Sequence, residues 1–260
     1  MKNLIFQYYI PYESFDADMG GVEMPDWAKA GSANAQKYAE HCGAEYVLSH
    51  NRFFPTLDPR LDSLQIFHDP KFEKYDNILT LDLDMLVCTD TNIFDEIENA
   101  DVAMVHELGV HTGGPATWLK RVMDVPIYQR GIIAYGKHLF GPEWMFPPSK
   151  KYPKERFRYL NGGLQLWSKA GRAKAREDFT SVHDYVMHTR YTEQMYINLQ
   201  LSQANFIVKE LDTYWNRMPY QWANGNPDGM INHFLARTKF NMPRLWEKKD
   251  ASLFRNCSWI

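Results

Sequence analysis

Two aspartates separated by a single residue, Asp82 and Asp84, carry the strongest chemical signal in this sequence. They stand inside YDNILTLDLDMLV, whose other residues are those of a buried strand. In an extended chain, side chains two apart share a face, so the two carboxylates project together while Leu81 and Leu83 turn the other way. Like charges within or at the end of an apolar strand repel each other and lose hydration, so they need a strong positive partner. A divalent cation that prefers hard oxygen supplies one, and a diphosphate can fill the remaining coordination positions. The triplet alone occurs by chance on many surfaces; its hydrophobic setting gives it weight.

The elements that must hold this pair alternate between strand and helix. NLIFQYYI reads as a buried first strand, PDWAKAGSANAQKYAEHCG as a helix running from Pro25 to Gly43, and AEYVLSH as a second strand. This βαβ opening implies parallel strands and a right-handed crossover. LDSLQIFHDPKFEKY reads as helical up to Pro70, YDNILTLDLDMLV as one strand, DTNIFDEIENA as a short helix and DVAMVHE as a strand. Residues 108–159 break into Gly, Pro and aromatic residues, a pattern of functional loops in which Trp118, Tyr135 and Trp144 are candidate stacking platforms. YLNGGLQLWSK returns as a strand, KAGRAKAREDFTSVHDYVMHT as a helix, TEQMYINLQLSQ as a helix capped by Thr192, and NFIVKELD as a late strand. Gln7, Tyr8 and Tyr9 fall at the C-terminal edge of the first strand, where open α/β sheets hold nucleotides. Gly162 and Gly163, after Asn161, mark either a bulge or a place where a ligand approaches the backbone; the second reading is favoured.

Composition narrows the classes. A net charge of −3 supplies no global positive field, which disfavours a nucleic-acid partner. The sequence has no run of roughly 18 apolar residues, and LIFQYYI is too short and too polar for a signal peptide, so a soluble, cytosolic protein is expected. Cys42, Cys88 and Cys257 are odd in number and lack C-x-x-C spacing, which reads as buried thiols. Aromatic content of 15%, much of it in loop-like stretches, suggests a surface for flat faces such as sugar rings or a nucleobase.

Four segments, in order, resemble the GT-A glycosyltransferases, especially the family-8 retaining group. YDNILTLDLDMLVCTDTNIFDEI resembles their D-x-D strand; YLNGGLQLWSK, with Asn161, Gly162 and Gly163, resembles the strand that approaches the donor sugar. TEQMYINLQLSQ, with Glu193 and Gln194, resembles the Asp-Gln helix start beneath the reacting centre, with Glu193 standing where the family usually has Asp. INHFLARTK resembles the family's histidine ligand, here His233, followed by a phosphate-contacting lysine, here Lys239, although Phe240 and Asn241 replace the usual Pro-Trp. Arg60 occupies a place where related enzymes often supply a basic residue.

The resemblance implies one GT-A domain over residues 1–260: a Rossmann-like nucleotide-binding half at 1–107 and an abutting acceptor-side, metal-completing half at 108–260. It implies a metal on Asp82, Asp84 and His233, Mn²⁺ first and Mg²⁺ second, since octahedral geometry then leaves room for two phosphate oxygens and a water. It implies a donor nucleotide sugar, UDP-linked by default with GDP as alternative, held by Gln7, Tyr8, Tyr9, Arg60, Asp82, Leu83, Gly162, Gly163 and Lys239. Glu193, Gln194 and Asn161 are the implied catalytic group, acting on a carbohydrate or glycoconjugate acceptor with retention; an inverting route with Glu193 as base stays open. A sugar-1-phosphate nucleotidyltransferase is the alternative chemistry, although IPYESFDADMGG is acidic where those proteins carry a basic glycine-rich loop. A non-catalytic carbohydrate-binding relative is the third reading.

Overall fold

A computed structural model describes residues 1–11, 23–107, 135–144, 147, 150–152, 158–188, 193–202 and 205–260. Its centre is a six-stranded sheet built from β1 (Asn3–Tyr8), β2 (Glu45–Ser49), β3 (Asn77–Leu81), β5 (Val102–His106), β6 (Leu160–Ser168) and β7 (Val208–Leu211), in the order β2-β1-β3-β6-β5-β7. A second, two-stranded sheet pairs β4 (Met85–Val87) with β8 (Ile231–His233).

Period-two alternation divides the sheet's side chains between two cores. Leu4, Phe6, Ile78, Val102 and Met104 enter one, where α2 (Gln65–His68), α3 (Lys169–Asp178), α4 (Val182–His188) and α5 (Glu193–Leu201) contribute Phe67, Ala175, Tyr185 and Tyr196. Ile5, Leu79, Leu81, Ala103 and Val105 enter the other, covered by Ala35, Tyr38 and Ala39 of α1 (Asp26–His41) and by Trp215. Burial on both faces explains why β3 and β5 read as near-continuous apolar runs. A last helix, α6 (Met242–Glu247), packs beside α1. Among the described residues no helix is long and apolar enough to cross a membrane.

β1, β2 and β3 are parallel, as the βαβ opening requires, and β5 is parallel to β7. β6 runs against both its neighbours. The chain leaves β5 and re-enters β6 at the same sheet edge, where the Glu107 amide donates to the Tyr159 carbonyl at 2.8 Å. That reversal lays Asn161–Gly163 beside the end of β3, where the Asp82 amide donates to the Gly163 carbonyl at 2.8 Å.

Three elements differ from the sequence reading. YDNILTLDLDMLV is two strands, because the chain turns at Leu83 and Asp84 and passes into the second sheet. Aspartate is depleted in strands, and two in three residues mark the exit. The segment around LDSLQIFH opens as a 3₁₀ helix over Pro59–Leu64 and has only one α-helical turn, Gln65–His68. The stretch read as one helix from residue 169 divides into α3 and α4, because Phe179 adopts extended backbone and turns its ring onto Trp167, Phe67 and Tyr196. Thr192, the expected cap of α5, lies outside the described residues.

Candidate functional site

Asp82 and Asp84 flank a turn, so they converge by a route other than the shared face of one extended strand. β8 brings a third group to them: His233 Nε2 lies 3.1 Å from Asp84 Oδ1 and 3.9 Å from Asp82 Oδ2. One ligand atom from each of the three can be chosen so that all lie within 4.8 Å of one another. Two glycines permit this convergence. A Cβ on Gly163 would sit 2.7 Å from Asp82 Oδ2 and 2.9 Å from His233 Cε1, and one on Gly31 of α1 would sit 1.9 Å from the Leu83 carbonyl oxygen. β6 and α1 therefore press on the turn from two sides.

The electrostatics are those of anionic groups in need of a cation. Burial first, then the charge of Asp84, pushes the Asp82 carboxyl up to about 6 against the opposing pull of His233. The Asp82 side chain keeps 44% of its surface open, so water shares in holding its charge. Burial opposes protonation of His233, but the charge and hydrogen bond of Asp84, with Asp82 and Glu107 behind them, outweigh it and shift the imidazole upward. Two carboxylate oxygens and an imidazole nitrogen form a donor set suited to Mn²⁺ or Mg²⁺.

The pair opens onto a cleft of about 220 Å³, lined by Tyr8, Tyr9, Trp27, Arg60, Leu83 and Glu193 among others. Tyr8 donates to the Arg60 carbonyl at 3.1 Å, and burial, then the charges of Glu193 and Asp82, hold its phenol well above the usual range. Tyr9 donates to the Glu23 carbonyl at 2.9 Å. The Arg60 guanidinium is held at the rim by both oxygens of Asp58, at 2.9 and 2.7 Å. Glu193 Oε2 is buried without a hydrogen-bond partner among the described residues, and burial, then the charge of Asp82, pushes its carboxyl up to about 8.

The remaining candidates stand behind the cleft wall. Gln7 is 0% exposed, and its amide donates to the Asp82 carbonyl at 3.2 Å while accepting from Tyr46 at 2.9 Å, so it braces the turn from beneath. Gln194 uses both ends of its amide: Oε1 accepts from the Gly162 amide at 2.8 Å and Nε2 donates to Glu107 at 2.7 Å. Asn161 is buried, and its Nδ2 donates to Glu107 at 3.4 Å. Gly162 faces Gln194, whose Cβ would be 2.9 Å from an added methyl. Lys239 is 2% exposed, with its ammonium 4.6 Å from the centre of the Trp27 ring, so it stands behind a residue that lines the cleft.

Sequence reasoning missed Gly31, Trp27 and Glu107. Each is isolated in the sequence from the motif it serves, and only Glu107, the acid closing β5, carries a visible signal. Of the stacking platforms, Trp118 lies outside the described residues. Tyr135 is instead a core residue, 1% exposed, whose hydroxyl bonds Asp184 at 3.0 Å, and Trp144 packs on the same core with its indole donating to Ser202 at 2.9 Å. Cys42, Cys88 and Cys257 are free thiols; Cys88 is buried and the other two are partly so.

No protein-family model matches the chain, and no curated protein matches its sequence. Solved structures do match. A glycosyltransferase involved in the glycosylation of the major capsid of PBCV-1 aligns with TM-score 0.55 and 12% identity over 95% of this chain and 100% of that one. The WbbM bifunctional glycosyltransferase gives TM-score 0.53 and 10% identity over 98% of this chain and 51% of that one. The galactosyltransferase LgtC, in complex with donor and acceptor sugar analogs, gives TM-score 0.50 and 13% identity over 96% of each chain. The architecture is thus the GT-A glycosyltransferase fold expected from the sequence.

Proposed function

We propose that this protein is a metal-dependent glycosyltransferase that moves a hexose from a nucleotide-diphosphate sugar, UDP-linked by preference, to a hydroxyl of a carbohydrate or glycoconjugate. The observation that carries the reading is the meeting of Asp82, Asp84 and His233, with both aspartates lining a cleft on the sheet edge that takes nucleotides in open α/β folds. Those three residues would hold Mn²⁺ or Mg²⁺, which would supply Lewis-acid stabilisation of the departing diphosphate.

The chain's own residues do the rest. Tyr8 and Tyr9 present aromatic faces and neutral hydroxyls to the nucleotide. Arg60 and Lys239 add positive charge at the rim and behind Trp27, where leaving-group charge grows. Gly162 and Gly163 let Gln194, Asp82 and His233 close against β6, and Asn161 and Gln194 hold that backbone in place. Glu193, facing the cleft with an unpartnered oxygen, supports the sugar as its anomeric bond lengthens, and retention follows if the acceptor attacks from the leaving-group face.

A panel of nucleotide sugars incubated with Mn²⁺ or with chelator tests the reading. Release of free nucleoside diphosphate in the presence of Mn²⁺ alone supports transferase chemistry. Pyrophosphate-dependent chemistry points to a nucleotidyltransferase, and Mn²⁺-dependent donor binding with no turnover points to a binding protein that retains the fold.

A further inference from the structure

We propose that Asn216 is a positioning residue for the metal centre, selecting the one tautomer of His233 that leaves Nε2 free to bind a cation. This inference rests on the reading of Asp82, Asp84 and His233 as a metal site. The Gly163 main-chain amide can only donate, and it lies 2.9 Å from one end of the Asn161 carboxamide, which must therefore be Oδ1. That same oxygen lies 2.7 Å from Asn216, which must present its NH₂ there. The Asn216 carboxamide then has only its oxygen left for His233, 3.1 Å from Nδ1. A carboxamide oxygen only accepts, so Nδ1 carries the proton, and in the neutral ring the lone pair is on Nε2, the atom facing Asp84.

The arrangement has no slack. Asn216 is 0% exposed, on the 3₁₀ turn Thr213–Asn216, and no water can take over its contact without entering the core. His233 is buried as well, held by main-chain bonds from its amide to the Arg217 carbonyl at 2.9 Å and by the pairing of β4 with β8. A partner on the non-ligating nitrogen fixes both the ring's tautomer and its rotation, and loss of such a partner typically weakens metal binding about 10–100-fold. The link also runs onward: Asn161 joins Asn216 to Glu107, and Glu107 holds Gln194. One network thus sets both the histidine ligand and the glutamine beside the Gly162 backbone.

The experiment measures binding of Mn²⁺ alone, by calorimetry, to wild type, Asn216→Leu and Asn216→Asp, with urea unfolding of each as the fold control. Asn216→Leu removes the acceptor and is expected to weaken binding about tenfold or more, whereas Asn216→Asp keeps an acceptor for Nδ1, though it sets a second oxygen against Asn161 Oδ1, and is expected to bind Mn²⁺ more tightly than Asn216→Leu. Equal weakening in both variants, or none in Asn216→Leu, overturns the proposal. Nitrogen NMR of His233 in wild type, with the ring neutral, needs no variant to fold: protonated Nδ1 supports the assignment and protonated Nε2 overturns it. Absence of Mn²⁺ binding by wild type is a different failure, since it removes the metal site while the tautomer is still read directly.

Discussion

Gly163→Ala isolates the metal centre with one methyl group. The new Cβ would lie 2.7 Å from Asp82 Oδ2, while ordinary contact begins at 3.4 Å, so the carboxylate must retreat by about 0.7 Å. Metal–ligand distances tolerate departures of only about 0.2 Å. The other close neighbours offer no easier escape for the triad: Met85 Cε can swing away from its 2.7 Å contact, but the His233 ring, at 2.9 Å, is tied to Asn216. At least one ligand is lost, and the Mn²⁺ dissociation constant is expected to rise tenfold or more, about 1.4 kcal/mol. Overpacking costs the metal-free fold about 1–3 kcal/mol, partly offset because alanine restricts the unfolded chain. Calorimetric titration with Mn²⁺, alongside thermal unfolding in chelator, separates the two effects. A folded Gly163→Ala protein that binds Mn²⁺ as wild type does would refute the placement of the ligands.

Other perturbations probe different parts of the account. Asp84→Ala should abolish the Mn²⁺-dependent rise in melting temperature while leaving the chelator-treated protein folded; saturating metal at 100 times its dissociation constant is worth about 2.7 kcal/mol in wild type. Glu193→Gln should flatten the pH dependence of stability. With a folded-state value near 8, raised above that of the unfolded chain, Glu193 contributes stability that is full at low pH and lost as pH rises through about 8, so melting curves across that window should fall less in the variant. Gly31→Ala places a methyl 1.9 Å from the Leu83 carbonyl, and urea unfolding should show a loss of about 1–3 kcal/mol together with weaker Mn²⁺ binding. Asp62→Ala removes the buried partner of Arg52, 2.6 Å away, and the acceptor of the Phe53 and Phe54 amides, ahead of the turn that carries Arg60. Its expected cost is about 3–5 kcal/mol in chemical unfolding.

Much of the fold was legible because its strands are buried on both faces: Asn77–Leu81 and Val102–His106 read as apolar runs, and α1 ends within two residues of its expected stop. The D-x-D pair and His233 were also legible as one group, by residue type and by order along the chain, and the structure brings them together. What the sequence hid depends on contacts between distant segments. The turn at Asp82–Asp84 follows from pairing with Ile231–His233, well over 100 residues away in the sequence, and the reversed direction of β6 follows from where the chain re-enters the sheet. Phe179 breaks a helix because a core pocket takes its ring, which no local propensity signals. Glu107, Asn161 and Asn216 belong to one hydrogen-bonded network yet lie in three separate segments, so only the folded chain discloses their relation. Tyr135 shows the converse error, an aromatic in a loop-like stretch that the core absorbs.

Crystals grown with Mn²⁺ and UDP, measured at the manganese absorption edge, would locate the cation. The expected result is an anomalous peak bounded by Asp82, Asp84 and His233 Nε2, with diphosphate oxygens completing the coordination and the base against Tyr8 or Tyr9. A peak elsewhere, or UDP bound with those three side chains turned away from it, would contradict it.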